Sequence, residues 1–310
     1  MNGKVTGINV TFQSGEHRQL FAKAETVLCG GAFDTPRLML HSGLGPRQQL
    51  EDLKIPVVKD LPGVGESLQD HPETIIMWEL NARVPENQTT MDSDAGIFLR
   101  REKVNAAGDD GDAADIMMHC YQIPFTFNTG RLGYSAPAEG FAFCMTPNIP
   151  RPRSRGRLWL NSANPAEKPK IDFRYFTDPE DYDAMTLVAG IKAARKVAEQ
   201  APFSNWLLRE VAPGPACQTD EELSEYARRA AHTVYHPVGT TKMGRRDDAM
   251  AVVDPELRVY GLKGLRIADA GIMPEIPSIN PMVTVLAIGE RAAELIAASA
   301  GWRGENASRL

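Results

Sequence analysis

Alternating apolar and polar residues open the chain and predict a β-hairpin within its first thirty residues. One strand follows VTGINVTF from Val5, QSGE supplies the turn, and a second strand runs from Leu20 to Leu28. The first strand starts within four residues of Met1. We therefore expect a sheet that nothing earlier in this chain covers.

Helical signals mark the next segment and the last one. GAFDTPRLMLHSGLG predicts a short helix with Thr35 as its cap, Pro36 in its first position and Gly43 at a left-handed end. Near the C-terminus, NPMVTVLAIGERAAELIAASA predicts a helix with Asn280 at the cap and Pro281 just inside.

Two further helices are predicted in the second half. The segment TDPEDYDAMTLVAGIKAARKVAEQAP has acidic residues early and basic residues late, with a cap at Thr177 or Asp178 and a stop at Pro202. In TDEELSEYARRAA, Thr219 and Glu222 have the spacing of a capping box.

Short apolar runs broken by proline and glycine fill the middle of the chain. From Ile116 to Phe173 they predict strands of a mixed sheet. The chain is more polar from about Asn81 to Asp115, and within this stretch NAAGDDGDAAD predicts an exposed loop. The fold class expected is α/β with α+β character: a mixed sheet with helices on one face, beside other αβ elements.

Composition and charge narrow the class of protein. The 310 residues are 43% hydrophobic and 24% charged, which is ordinary for a globular protein. A net charge of -6 argues against nucleic-acid binding. The four cysteines form no CxxC pair, so a reducing compartment is expected. Neither a signal peptide nor an apolar run of the roughly 20 residues that span a bilayer is seen, which predicts a cytoplasmic protein without a transmembrane segment.

Several catalytic motifs fail their tests. His232 and His236 are four residues apart, but Thr233 stands where a metalloprotease needs glutamate and Pro237 ends any helix, so no metal site is predicted. No GxSxG occurs. GVGESL at Gly63 contains two glycines of a dinucleotide fingerprint, but it does not join a strand to a helix.

Three segments together carry more information. GAFDTPRLMLHSGLG at Gly31, HTVYHPVGTTKMG at His232 and the long run beginning VVDPELRVYGLKGLRIADAG at Val252 resemble the glucose-methanol-choline oxidoreductases. RSRGRLWLNS, DFRYFTDPEDYD and QTDEEL are most similar to the choline oxidase and choline dehydrogenase branch. The resemblance covers almost the whole chain.

The resemblance implies FAD-dependent oxidation of the CH-OH group of a small primary alcohol, choline-like, with hydride transfer to the flavin. His236 matches the family's active-site histidine, and its ordinary pKa suits a base. A buried histidine bonded to a backbone carbonyl is the structural alternative. Asn280 matches the second active-site position, and it can also act as a helix cap.

The resemblance also implies cofactor contacts. The positive N-terminus of the last helix would stabilise negative charge at the pyrimidine end of the flavin. The implied contacts are Gly31 and Ala32 for the nucleotide, Asp269 and Ala270 for the ribityl and phosphate groups, and Pro281 and Met282 for the flavin ring.

Substrate contacts are implied less completely. In DSDAGIF, Asp94 stands for the branch's acidic residue that holds a trimethylammonium group, and Asp92 and Ser93 replace the aromatic residues before it. Tyr235 is retained beside the active-site histidine. The family's additional histidine corresponds to Leu132 or its neighbour. Choline is therefore one suggestion among small primary alcohols.

One segment that is typical of the family is missing from this sequence. The glycine-rich turn for the FAD pyrophosphate does not occur here, so the chain resembles the C-terminal portion of such an enzyme. Residues 1–91 and 235–310 are expected to complete an FAD-binding domain, and residues 92–234 to form a substrate-binding domain. Two alternatives stay open: a split enzyme whose partner chain carries the GxGxxG half, and a non-catalytic remnant that forms a homo-oligomer.

Overall fold

The computed structural model describes residues 3–85, 93–101 and 114–302, with side chains in the second range described from residue 95. The α-helices are α1 (Gly31–His41), α2 (Arg47–Asp52), α3 (Tyr182–Ala198), α4 (Asp220–Ala230) and α5 (Met282–Ser299). Short 3₁₀ turns cover Gly130–Leu132, Phe203–Trp206 and Ala270–Ile272.

The strands are β1 (Gly7–Thr11), β2 (His17–Phe21), β3 (Thr26–Leu28), β4 (Leu44–Gly45), β5 (Lys59–Asp60), β6 (Pro72–Glu73), β7 (Ile76–Leu80), β8 (Ser93–Leu99), β9 (Ile116–Tyr121), β10 (Ala142–Asn148), β11 (Arg157–Trp159), β12 (Lys170–Asp172), β13 (Leu207–Ala212), β14 (His232–Thr233) and β15 (Leu265–Ile267).

The chain folds as two compact units, each built from separate stretches. Unit 1 contains residues 1–69, 155–173 and 237–310, and unit 2 contains residues 70–154 and 174–236. These bounds differ from the expected division at 91/92 and 234/235. Strands β6 and β7 pair with β10 of unit 2, and Leu158 and Leu160 belong to the core of unit 1.

Unit 2 is an antiparallel sheet of seven strands with helices packed on it. Strand β10 pairs with β9 on one side and with β7 and β6 on the other, and β8, β13 and β14 extend the sheet. Leu187 and Ile191 of α3 and Tyr226 of α4 share one core with β7, β9 and β10. The described ladders are all antiparallel, where the sequence suggested a mixed sheet. Parallel neighbours need a long crossover connection, and among the described residues between β6 and β10 only the short 3₁₀ turn Gly130–Leu132 is helical.

Unit 1 contains the parallel strand pairs. Strand β3 pairs with β15 and β4 pairs with β5, both in parallel, while β1–β2 and β11–β12 are antiparallel pairs. Met39 and Leu40 of α1 pack with Leu265 and Ile267 of β15 in the core of this unit. The connection from β3 through α1 therefore places a helix beside a parallel pair, as in α/β proteins.

The opening hairpin is confirmed, but its second strand is shorter than predicted. Strand β1 pairs with β2, and the chain then breaks at residues 22–25 before β3, which joins a different partner, β15. Lys23 and Ala24 form a bend at this point, although the apolar and polar residues go on alternating. A single strand through Leu28 was therefore wrong.

The start of helix α1 differs from the predicted one. Helix α1 begins at Gly31, and Pro36 lies inside it instead of in its first position. A proline has no N–H to bond the carbonyl four residues earlier, which is that of Ala32, and the hydroxyl of Thr240 donates to this oxygen at 2.6 Å. The side chain thus satisfies a carbonyl that the helix leaves free.

Other helix ends are close to expectation. The capping box of Thr219 and Glu222 is present at α4. Helix α3 begins at Tyr182, where Asp178 accepts from the backbone N–H groups of Tyr182 and Asp183. Gly43 has the left-handed conformation expected after α1, with φ of +76°. Helix α5 begins one residue late, with Pro281 in the cap position that was predicted for Asn280.

Within the described ranges, none of the helices combines the length and apolar character that crossing a membrane requires. All four cysteines are free thiols. The cytoplasmic location stays a prediction.

Candidate active site

Two segments of unit 2 are joined by backbone hydrogen bonds and bring the predicted base into position. Strands β6 and β14 pair His232 with Glu73 and Thr233 with Pro72. The pairing continues past the strand end, because the N–H of Val234 donates to the carbonyl oxygen of His71. The stretch that precedes His236 is thereby aligned with His71 and Glu73.

A strained turn follows. Tyr235 is in the left-handed region, with φ of +64°, which is uncommon for a residue other than glycine. Its N–H donates to Oγ1 of Thr233 at 2.8 Å, and the next N–H, that of His236, donates to Oδ1 of Asp70 at 2.9 Å. The side chain of Tyr235 is 80% exposed, while the turn brings His236 back toward the sheet.

The imidazoles of His71 and His236 form a directed pair. Their Nδ1 atoms are 2.9 Å apart, and Nε2 of His71 lies 3.0 Å from the carbonyl oxygen of Pro150. A carbonyl oxygen can only accept, so Nε2 of His71 carries the proton. With His71 neutral, as full burial favours, its Nδ1 is the acceptor and Nδ1 of His236 is the donor. Nε2 of His236 is then left with a free lone pair.

The environment keeps His236 neutral. Burial, together with the nearby His119, lowers the pKa of His236 to about 4. At neutral pH the imidazole is therefore uncharged and its unprotonated nitrogen can accept a proton. The structural alternative, a histidine bonded to a backbone carbonyl, describes His71 and not His236.

A buried carboxyl group lies beside this pair. Glu73 is almost fully buried, and burial raises its pKa to about 8. Its Oε1 is 3.3 Å from Nδ1 of His232, whose own pKa is lowered by burial. The contact has the length of an ion pair, but at neutral pH both groups are uncharged, so it is a polar contact between neutral groups. Among the residues that the structure describes, Oε2 of Glu73 has no hydrogen-bond partner.

Rings continue from this carboxyl group toward the base. The ring of His232 stacks on Phe125 with centroids 5.4 Å apart, Phe125 lies 5.7 Å from Tyr121, and Tyr121 lies 6.1 Å from His119. We refer to His71, Glu73, His119, His232 and His236 as the buried polar cluster. Its carboxyl group and the adjoining aromatic faces are the kinds of group that bind an organic cation.

Sequence reasoning missed three members of this cluster. Leu132, which the resemblance places where the family has an additional histidine, packs against the hydrophobic core, whereas His71 and His119 are the histidines near His236. Both His71 and Glu73 belong to the segment DHPE, which follows GVGESLQ directly. The glycines and prolines of this segment indicate a loop, and the strand β6 that the structure places here is only two residues long.

Asp94, predicted to bind a cation, lies on β8, and its side chain is outside the described residues. Its role stays a prediction. Among the described residues, no group of three His, Cys, Asp or Glu side chains is placed to hold a metal ion.

Unit 1 places four of the six predicted cofactor residues, namely Gly31, Ala32, Asp269 and Ala270, after the carboxyl ends of β3 and β15. Oδ2 of Asp269 accepts from the N–H of Gly31 at 2.9 Å and from the hydroxyl of Thr35 at 2.6 Å, and Oδ1 accepts from the N–H of Gly271 at 2.8 Å. This buried carboxylate ties the start of α1 to the end of β15. Its oxygens therefore already have acceptor roles inside the protein.

The turn after β3 opens onto a groove. Gly31 has φ of +75°, and a Cβ atom added there would lie more than 4 Å from the surrounding described residues. The groove, of about 430 Å³, runs along Val27, Leu28, Gly30 and Leu38. In α/β proteins such a crevice at the carboxyl ends of parallel strands is where ligands bind.

The start of α5 is also open. No side chain caps its first N–H groups, and the side chain of Met282 is 69% exposed while Pro281 is buried. Asn280 immediately precedes the helix and is exposed. Asn280 belongs to unit 1 and His236 to unit 2, and each is described within its own unit.

Comparison with known proteins identifies the family. Two family profiles described as GMC oxidoreductase match residues 1–73 and 152–289. Choline oxidase from Arthrobacter globiformis is 46% identical over 294 residues, which is 94% of this chain and 52% of the relative. The chain belongs to the GMC oxidoreductase family.

Other members differ in the substrate that their names specify. The alcohol dehydrogenase [acceptor] of Pseudomonas putida is 34% identical over 94% of this chain and 55% of its own length. Oxygen-dependent choline dehydrogenase 1 of Chromohalobacter salexigens is 35% identical over 93% of this chain and 53% of its own length. The chain thus spans about half the length of the curated relatives it matches.

Solved structures of the family have the same fold. Pyridoxine 4-oxidase from Mesorbium loti matches 94% of this chain and 54% of its own, with a TM-score of 0.82 and 28% identity. Formate oxidase of Aspergillus oryzae RIB40, studied for the modification of its FAD, matches 96% of this chain and 58% of its own, with a TM-score of 0.85 and 25% identity.

FAD is the cofactor of this family. The open space at Gly31, the groove beside it and the uncapped start of α5 fit the parts of such a ligand. The carboxylate of Asp269 fits less directly, because its three hydrogen bonds hold the glycine turn itself.

Proposed function

We propose that this chain carries the proton-accepting and substrate-orienting part of an FAD-dependent enzyme that oxidises the CH–OH group of a small, choline-like primary alcohol. The observation that carries the proposal is the hydrogen-bond chain from Pro150 through His71 to His236. It leaves Nε2 of His236 as a neutral acceptor, which is what removal of a hydroxyl proton needs.

The oxidation divides into two transfers. Nε2 of His236 takes the hydroxyl proton, Nδ1 keeps its hydrogen bond to His71, and Asn280 holds the substrate oxygen. The hydride leaves the carbinol carbon, and bound FAD supplies the acceptor for it. Because the pKa of His236 is lowered, the base needs no prior deprotonation at neutral pH.

Glu73 is the carboxylate that we expect to recognise a cationic substrate. A positive charge nearby favours the ionised form of a carboxyl group, so a bound quaternary ammonium group would compensate the charge that burial otherwise disfavours. The rings of Phe125 and Tyr121 would add cation–π contact. Tyr235, which is exposed beside the base, and Asp94 remain proposed substrate contacts.

Cofactor contacts follow the open surfaces of unit 1. We expect Gly31, Ala32 and Ala270 to approach the nucleotide part of FAD, and Pro281 and Met282 to approach the flavin ring. Asp269 would act by holding the glycine turn in its left-handed form.

A second arrangement is favoured by the apolar surface of α5. Met282, Val283 and Leu286 are each more than three-fifths exposed on one helix. Such a surface is typical of an interaction site. In this second arrangement the glycine-rich half of the fold would cover it, from a partner chain or from elsewhere in the same protein, and activity would require that half.

Flavin reduction tests the proposal. The purified chain is mixed with FAD, alone and together with the glycine-rich segment that relatives carry, and choline is added without oxygen. We expect loss of the oxidised flavin spectrum, and a rate about 10²–10⁴-fold lower in His236→Ala with flavin binding retained.

His17 provides a control, because it is exposed on β2 and His17→Gln should leave the rate unchanged. The uncharged analogue of choline, in which carbon replaces nitrogen, tests Glu73. Glu73→Gln should reduce the preference for choline over that analogue. Reduction at the parental rate in His236→Ala would remove this histidine from the mechanism.

A further inference from the structure

Asp70 holds both sides of the histidine pair. It is 2% exposed, its Oδ1 accepts from the N–H of His236, and its Oδ2 accepts from the hydroxyl of Tyr175. Burial raises the pKa of Asp70, and hydrogen bonds from Thr233, from Tyr175 and from the N–H groups of His236 and His71 act in the opposite direction.

The geometry explains why such an acceptor is needed. Tyr235 is left-handed, a conformation that costs free energy in any residue with a Cβ atom. The N–H that emerges from this turn belongs to His236, and Asp70 is its acceptor. Without that acceptor, a buried N–H would lose its partner and the turn could relax.

Tyr175 fixes the carboxylate in turn. Burial is the main cause that raises the pKa of Tyr175, and the charge of Asp70 is the second. The hydroxyl of Tyr175 therefore keeps its proton and remains a donor. With Tyr175 on Oδ2 and His236 on Oδ1, the carboxylate cannot rotate without breaking one of the two bonds.

We propose that Asp70, oriented by Tyr175, is a positioning residue that holds His236 against His71 and thereby keeps its proton on Nδ1. Asp70 acts through the backbone of the turn and not on the substrate. The kinetic part of this inference rests on the proposed function, whereas the tautomer of His236 does not.

Ring ¹⁵N spectra of the full chain without added cofactor provide the first test. The sequence contains 6 histidines, so single His→Gln variants assign every ring. The parental chain should show His236 protonated on Nδ1. Asp70→Ala should lose that state, Asp70→Asn should retain it because its amide oxygen can still accept from the N–H, and Tyr175→Phe should fall between them.

Asp183→Ala is the matched control. Asp183 is also fully buried in unit 2, and it accepts from the backbone N–H groups of Arg153 and Ser154, which do not belong to the histidine pair. It should lower stability while leaving the His236 signals unchanged. Should Asp70→Ala fail to fold, Asp70→Asn and Tyr175→Phe still decide the point.

Kinetics provide the second test. In protein that reduces flavin with an alcohol, Asp70→Ala should lower kcat by about 10²-fold with little change in KM, because a small displacement of a catalytic group has that effect. A folded Asp70→Ala chain with His236 still protonated on Nδ1 would overturn the proposal. If the parental chain shows no flavin reduction, the proposed function fails, and the ring spectra still decide the role of Asp70.

Discussion

At the scale of single residues, buried titratable groups define the chemistry of unit 2. Glu73 and His236 have pKa values displaced in opposite directions, to about 8 and about 4, and burial is the leading cause of both. Burial disfavours the charged form, which is protonated in histidine and ionised in glutamate. Both side chains are therefore neutral at pH 7.

The displaced pKa of Glu73 makes the stability depend on pH. Its folded pKa lies above the unfolded value, so the stability that the protonated form contributes is complete at low pH and is lost as pH rises toward about 8. Between about pH 7 and 8, ionisation of Glu73 should make the free energy of unfolding fall with pH by at most about 1.4 kcal/mol per pH unit. Glu73→Gln should remove this dependence. Urea unfolding at several pH values measures this, and equal slopes in both proteins would contradict it.

At the scale of elements, one carboxylate joins a helix to a strand. Asp269 follows β15 and accepts from the groups at the start of α1 and from the 3₁₀ turn that follows it. The first turn of a helix has unsatisfied N–H groups, and this side chain supplies an acceptor from a distant part of the sequence. The glycine turn predicted to approach the nucleotide is thereby held.

Asp269→Asn keeps the size of this side chain but replaces one acceptor oxygen with a donor. We expect the free energy of unfolding to fall by about 2 kcal/mol, because a buried group that faced an acceptor would lose it. Chemical denaturation measures the change. Asp247→Asn, at an exposed surface ion pair, is the control and should have almost no effect. Equal stability of both variants would show that Asp269 is not a structural tie.

At the scale of the whole molecule, α5 contributes an apolar surface. Ala292 is its buried residue, whereas Met282, Val283 and Leu286 are exposed. A large exposed apolar surface promotes association in water.

Replacing Met282, Val283 and Leu286 together with glutamine should lower binding of a hydrophobic dye and light scattering. The free energy of unfolding should change little, because these side chains bury little surface. Ala292→Gln, on the same helix but buried, should destabilise the protein clearly. Unchanged scattering in the triple variant would mean that association, if present, uses another surface.

The candidate site was only partly predictable from sequence. His236 was identified through the resemblance, and the capping box of α4 followed from local spacing alone. His71 and Glu73 show the limit, because they stand in a segment whose glycines and prolines indicate a loop. His71 and His119 lie far from His236 along the chain, and only strand pairing brings these side chains together.

The sequence by itself determined the family, the local helix and turn signals, and the candidate base, because these depend on residues near one another in the chain. The tertiary structure decided which groups contact that base. Asp70 and His71 are more than 160 residues from His236, and Asp269 is more than 230 residues from Gly31 and Thr35. Burial, which sets the protonation of Glu73 and His236, is likewise a property of the packed chain.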